Sequence, residues 1–194
     1  MKKWLALLGV AVLGVNSTIS FAAETVGMLT VKSEMMVRGT PEKVWAVIGG
    51  FNDLPKWHPA VANSKLDISG DATAGGITSR VLTLNAPNAP VLIEQLISQD
   101  PVAMTYSYTL TKTEPAILPV KNYTATLSVS AAEKDKSLVT WEGSFLPLPT
   151  ATAEDAKKAV EGVYSAGLVN LKEMLNTTSD GKVLPERETG RGVK

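Results

Sequence analysis

Cysteine is absent from the 194 residues. That excludes a disulfide framework, a thiol nucleophile and any thiolate metal site. Histidine occurs once, as His58. One imidazole without thiols cannot build a zinc site, and no spaced Asp/Glu loop marks a calcium site. No metal and no cofactor is expected. Net charge is also lacking, since 19 Lys and Arg face 19 Asp and Glu. Without a basic stripe, nucleic acid is not an expected partner. No apolar run reaches the roughly 20 residues that a membrane-crossing helix requires. Gly49-Gly50 and Gly75-Gly76 are not phosphate loops, because neither follows a strand and opens a helix at the needed spacing.

What is present begins with an export signal. Lys2 and Lys3 precede an apolar run from Trp4 to Val15, about a dozen residues and too short to span a bilayer. Ser20-Phe21-Ala22 offers small residues where a signal peptidase reads. Cleavage is expected after Ala22, with Ala23 as the alternative and an uncleaved anchor as the competing reading. Residues 1–22 are thus read as a signal peptide and the mature chain as periplasmic or secreted. Cleavage removes two basic residues and no acidic ones, leaving a net charge of −2.

The remainder reads as one α+β domain over residues 27–176, followed by a mobile polar tail at 177–194 that lacks periodicity. Residues 27–38 alternate through Leu29, Val31, Ser33, Met35 and Val37, a strand pattern. Thr40 can cap a short helix that Pro41 opens and Gly49-Gly50 ends. Residues 51–62 hold two prolines and fit a turn or one short helix. Six further strands are expected at 63–69, 76–84, 91–99, 102–112, 120–131 and 137–146, as one antiparallel meander. A helix over about 152–176 starts at Thr152, with Asp155 three residues on as in a capping box. Its apolar stripe runs Ala156, Val160, Val163, Tyr164, Gly167, Leu168, Leu171 and Leu175.

This order predicts a helix-grip fold: a seven-stranded curved antiparallel sheet around a long C-terminal helix, with two short helices after the first strand. A curved sheet around one helix should leave a gap near one end. Met104, Tyr106, Tyr108 and Leu110 share one strand face, as do Val139, Trp141, Gly143 and Phe145, and Tyr123, Ala125, Leu127 and Val129. Aromatics with polar tips on an inner face suit a partly wet pocket, and an ordinary core with satisfied tyrosines is the other reading.

His58 could serve as a general base if a group such as Asp53 oriented it. Alternatively, Trp57-His58-Pro59 closes the cavity mouth as a rigid lid. Arg80 precedes Leu82 and Leu84 at strand spacing, and Glu94 lies between Leu92 and Leu96. Both then face inward and must pair with each other, water or ligand. A one-residue register slip would instead put both outside.

Several blocks resemble the polyketide cyclase/dehydrase group of the START-like (Bet v 1-like, SRPBCC) superfamily. They are Thr40-Pro41-Glu42-Lys43-Val44-Trp45, Trp57-His58-Pro59-Ala60-Val61, Arg80 to Leu84, Glu94-Gln95-Leu96, Tyr106-Ser107-Tyr108, Leu118 to Tyr123, Trp141 to Phe145 and Val163 to Leu168. The likeness covers about residues 30–175. With the export signal it is most similar to the MxaD family, periplasmic accessory proteins of methanol oxidation. The resemblance implies a helix-grip fold and a charged cavity residue that holds a ligand head group, with Arg80 in that role. Trp57, His58, Glu94, Tyr106, Tyr108, Tyr123, Trp141 and Tyr164 complete the candidate ligand-binding set, and no catalytic residue is assigned.

Three functions follow. One is a non-enzymatic binder of a small lipophilic molecule. Another is a polyketide cyclase- or dehydratase-like enzyme using a Tyr or Glu94 as acid or base. The third is an interaction module for a periplasmic alcohol (methanol) dehydrogenase or its cytochrome.

Overall fold

The computed structural model describes residues 27–69 and 76–177. The expected signal peptide, and the expected tail beyond Thr177, lie outside the described residues. Strand β1 (Leu29–Arg38) leads through Gly39 to helices α1 (Pro41–Ile48) and α2 (Leu54–Trp57). Strands β2 (Val61–Ser69), β3 (Ile77–Leu84), β4 (Val91–Asp100), β5 (Thr105–Lys112), β6 (Val120–Ala131) and β7 (Lys136–Pro147) follow. Helix α3 (Ala153–Asn176) comes last. The strands form one curved antiparallel sheet in the order β1-β7-β6-β5-β4-β3-β2. Helix α3 lies against β1 and β7 and meets α2.

Local chemistry explains the boundaries. Gly39 takes a φ of 121° at the strand-to-helix corner, a region closed to residues with a Cβ. Thr40 occupies the N-cap position of α1, but its side chain makes no capping hydrogen bond. Pro41 still suits the first helical position, where no N–H is needed. At α3 Thr152 caps the helix as expected, with Asp155 gripping its hydroxyl rather than its backbone N–H. Asp155 N donates to Thr152 Oγ1 at 3.1 Å, and that hydroxyl donates to Asp155 Oδ2 at 2.6 Å.

The expected strand at 102–112 begins three residues later. Asp100 accepts hydrogen bonds from Val102 N and Ala103 N, both at 2.9 Å. This Asx-type turn holds 101–104 out of the ladder, with Met104 at a φ of 52°. The inner faces follow the expected alternation. Val31, Val37, Leu82, Tyr106, Tyr108, Tyr123, Ala125, Leu127, Val129, Val139, Trp141 and Phe145 are all buried. Bulges in β2, β4 and β6 interrupt the register and add the bend that lets the sheet wrap inward.

Candidate functional site

The structure brings all nine candidate residues into one cluster on the concave face. β3 and β4 place Arg80 directly opposite Glu94, so the inward register is the one observed. Arg80 is 0% exposed and Glu94 6%. Arg80 Nε donates to Glu94 Oε2 at 2.6 Å, and Nη1 donates to the Phe51 carbonyl. Nη2 also lies 2.6 Å from Glu94 Oε2 but makes no directed hydrogen bond. Nη2 thus meets the carboxylate as an ion pair rather than through a directed hydrogen bond. Aromatic faces surround the cation, with Phe51 at 4.2 Å, Tyr108 at 5.2 Å and Tyr106 at 6.0 Å from Cζ. Burial disfavours the charge, but the Glu94 carboxylate more than offsets this and holds Arg80 above its ordinary pKa.

Beside the ion pair runs a chain of polar aromatic tips. Trp141 Nε1 donates to Tyr108 Oη at 3.1 Å. The Tyr108 and Tyr123 hydroxyls are 3.4 Å apart, and those of Tyr123 and Tyr164 are 2.7 Å apart. Burial raises the pKa of Tyr108, Tyr123 and Tyr164 well above that of a free phenol, so all three stay protonated. The Trp141 and Tyr164 rings stack at 4.5 Å between centroids.

Two glycines let these groups approach. A Cβ on Gly143 would lie 2.3 Å from the Tyr164 hydroxyl, and one on Gly167 would lie 2.6 Å from His58 Cδ2. Each glycine sits where the apolar stripe of its element has a gap in side-chain volume. That gap was the available signal, and sequence reasoning did not use it. Phe51, which covers the guanidinium, was likewise not singled out.

His58 is structural. Its Nδ1 accepts from Ala60 N at 3.2 Å, so its Nε2 carries the proton and donates to Val163 O at 2.9 Å. Burial, aided by the Arg80 charge, pushes the imidazole below its ordinary value and keeps it neutral. Asp53 pairs with Lys56 at 2.9 Å and does not orient His58. Both ring nitrogens are therefore committed to backbone groups, which removes the general-base reading. Nor is Trp57-His58 a lid over a mouth. Both rings are buried beneath α3, where Asn170 Nδ2 donates to Trp57 O at 2.9 Å.

The expectation of an unfilled hollow is corrected here. A vacancy large enough for a small organic guest would leave accessible area on the rings around it. Trp57, Arg80, Tyr106, Tyr108, Trp141 and Tyr164 are each exposed by 1% or less. Phe51, from the turn between α1 and α2, and Trp57, from the end of α2, occupy the space that the sheet and α3 leave between them. One polar atom in this packing has no partner, Trp57 Nε1. The open hollows described lie elsewhere. A depression of about 700 Å³ on the outer sheet face is lined by Thr30, Lys32, Ser107, Thr124, Glu142 and Ser144. One of about 490 Å³ lies between Arg38, the β6–β7 turn and the end of α3. Among the described residues no cluster of three or more His, Asp or Glu could hold a metal ion. No helix among them is long and apolar enough to cross a membrane.

Known proteins can now be set beside this geometry. Residues 28–176 match the family model described as polyketide cyclase/dehydrase and lipid transport. The protein XoxI from Bacillus cereus is 34% identical, with a TM-score of 0.65 over 75% of this chain and 94% of that one. The Zhui aromatase/cyclase from a Streptomyces species is 15% identical, with a TM-score of 0.62 over 81% of this chain and 100% of that one. A START superfamily protein from Mycobacterium smegmatis is 12% identical, with a TM-score of 0.61 over 77% and 97%. At these last two identities the likeness concerns the fold. No curated protein matches the sequence significantly. On the family match, which covers every element from β1 to α3, the chain belongs to the polyketide cyclase/dehydrase and lipid transport family.

Proposed function

We propose that this protein binds a small lipophilic molecule with a polar head between the sheet and α3, and that the guest enters by displacing Phe51 and Trp57. The observation that carries this reading is the buried Arg80–Glu94 pair under the Phe51 ring. A buried ion pair is no better for stability than apolar side chains of similar volume. Its presence in a core, beside the unserved Trp57 Nε1, suits an anionic or carbonyl head group that would share the Arg80 charge and use that donor. Phe51 then stands where the ring or chain of the guest would lie. The acid–base enzyme reading has less support, since Glu94 is held by Arg80 and the tyrosines are kept protonated by burial.

The compartment belongs to the same proposal. The basic n-region and short apolar run at the N-terminus support work outside the cytoplasm. The resemblance to methanol-oxidation accessory proteins supports a periplasmic alcohol dehydrogenase or its cytochrome as neighbour. The test of binding uses native mass spectrometry of protein from its own source, together with titration by a fluorescent lipophilic anion such as anilinonaphthalene sulfonate. Saturable uptake that quenches tryptophan emission is expected. It should be lost when Arg80→Met is combined with Glu94→Leu in a chain that still melts cooperatively. A wild-type protein that carries no guest and takes up no probe would overturn the proposal.

A further inference from the structure

Strand β2 ends the sheet, so among the described residues no strand lies beside one of its edges. Terminal strands usually carry devices against edge-to-edge pairing, and an exposed lysine is a common one. β2 carries such a lysine, Lys65, but with an acidic residue two positions on. Lys65 and Asp67 are both exposed on its outer face, and neither has an ion-pair partner among the described residues. On the opposite face Leu66 is 41% exposed and Ile68 57%. Leu66 lies opposite Arg80 in the register, so this is the concave face. It runs past the reach of α3, which packs on β1 and β7 at the far side of the sheet.

We infer that β2 pairs antiparallel with β2 of a second copy, about a two-fold axis through Leu66. In that register residue 65 of one copy faces residue 67 of the other. Each Lys65 meets an Asp67, and the symmetry makes two such pairs on the outer face. On the concave face Leu66 meets Leu66, and each Ile68 meets Ser64. A lysine blocks an edge when it must face its own copy, and a register centred on residue 65 would do that. The aspartate two positions on turns the block into a selector for the register centred on Leu66. Residues 63–69 can pair in this way whether the outward-pointing backbone groups belong to the odd or the even positions. The seam extends the sheet across both copies and satisfies the free backbone edge of each. Its area is small against the roughly 1,200 Å² of a stable complex. The dimer should therefore be weak and reversible, with a dissociation constant of about micromolar or above.

Sedimentation velocity across roughly 1 μM to 1 mM tests this. A reversible monomer–dimer equilibrium that weakens with salt is expected. Lys65→Asp alone, or Asp67→Lys alone, places like charges across both pairs and should weaken self-association about tenfold. The double variant Lys65→Asp/Asp67→Lys should restore it. An equimolar mixture of the two single variants should associate better than either alone. Lys65 and Asp67 are both exposed, so unchanged circular dichroism checks the fold. A wild-type protein that stays monomeric throughout, or a dimer indifferent to both single charge changes, overturns the inference.

Discussion

Replacing Gly143 with alanine tests the claim that the interior is filled. The added methyl would sit 2.3 Å from the Tyr164 hydroxyl and 3.0 Å from Thr124 O. The carbonyl belongs to the β6 ladder and cannot retreat. The tyrosine ring is clamped by the Trp141 stack, with planes 14° apart. Overpacking of this kind costs about 1–3 kcal/mol. Moving the hydroxyl also breaks its 2.7 Å bond to Tyr123, a further loss of about 0.5–1.5 kcal/mol. Reduced freedom of the unfolded chain returns about 0.4–1 kcal/mol. The net expectation is a loss of about 2 kcal/mol by urea unfolding, or roughly 4–8 °C in melting midpoint for a domain of this size. Tyr164→Phe removes the oxygen that the methyl meets. In the double variant the two effects should couple by about 1 kcal/mol rather than add. If Gly143→Ala were as stable as wild type, or if the double variant were strictly additive, then Tyr164 has room to move and the packing argument fails.

Three other outcomes follow from the same geometry. Glu94→Gln leaves the Arg80 guanidinium buried without a counter-charge and should cost about 3–5 kcal/mol, whereas Arg80→Met with Glu94→Leu should stay within about 1 kcal/mol of wild type or exceed it; chemical denaturation separates the two. His58 is neutral in the fold, with its pKa below the ordinary 6.5. Its contribution is thus complete above that value and is lost as pH falls from there through the folded-state pKa. Melting midpoints of wild type and His58→Gln should therefore lie furthest apart near neutral pH and converge on acidification, and a difference that stays constant would contradict the assignment. Tyr123→Phe strands the hydroxyl of Tyr164 and leaves that of Tyr108 with Trp141 Nε1 alone, and should destabilise by about 1–3 kcal/mol in the same unfolding assay.

How much of this could be read from residues alone depends on the kind of information involved. Alternation in β3 and β4 places Arg80 and Glu94 on the face of Leu82 and Leu92, because a period of two leaves one inward register. The same rule gathers Tyr106, Tyr108, Tyr123 and Trp141, and the helical period adds Tyr164. The wedge of Phe51 and Trp57 was not legible. Residues 51–62 carry no periodicity, so nothing local says how far their side chains reach into the grip. Facing direction is a local property of the strand, while the volume left over depends on distant segments meeting. The absent side chains of Gly143 and Gly167 make the same point from the other side, since each matters only through a ring brought from elsewhere in the chain. Thr40 shows a smaller failure, in which the expected cap residue holds the right position without making the bond.

The placement of α3 has a consequence for biogenesis. It is the final element of the domain, yet it covers β1, the first. Until Ala153–Asn176 emerges, Val139, Trp141 and Phe145 have no helix above them, and the polypeptide must travel with a greasy concave surface uncovered. Closure joins segments far apart along the chain, which makes the decisive collision slow relative to hairpin formation. A nascent polypeptide of this kind is a natural client for holdase chaperones. A truncation that removes the last helix should accumulate bound to one rather than fold.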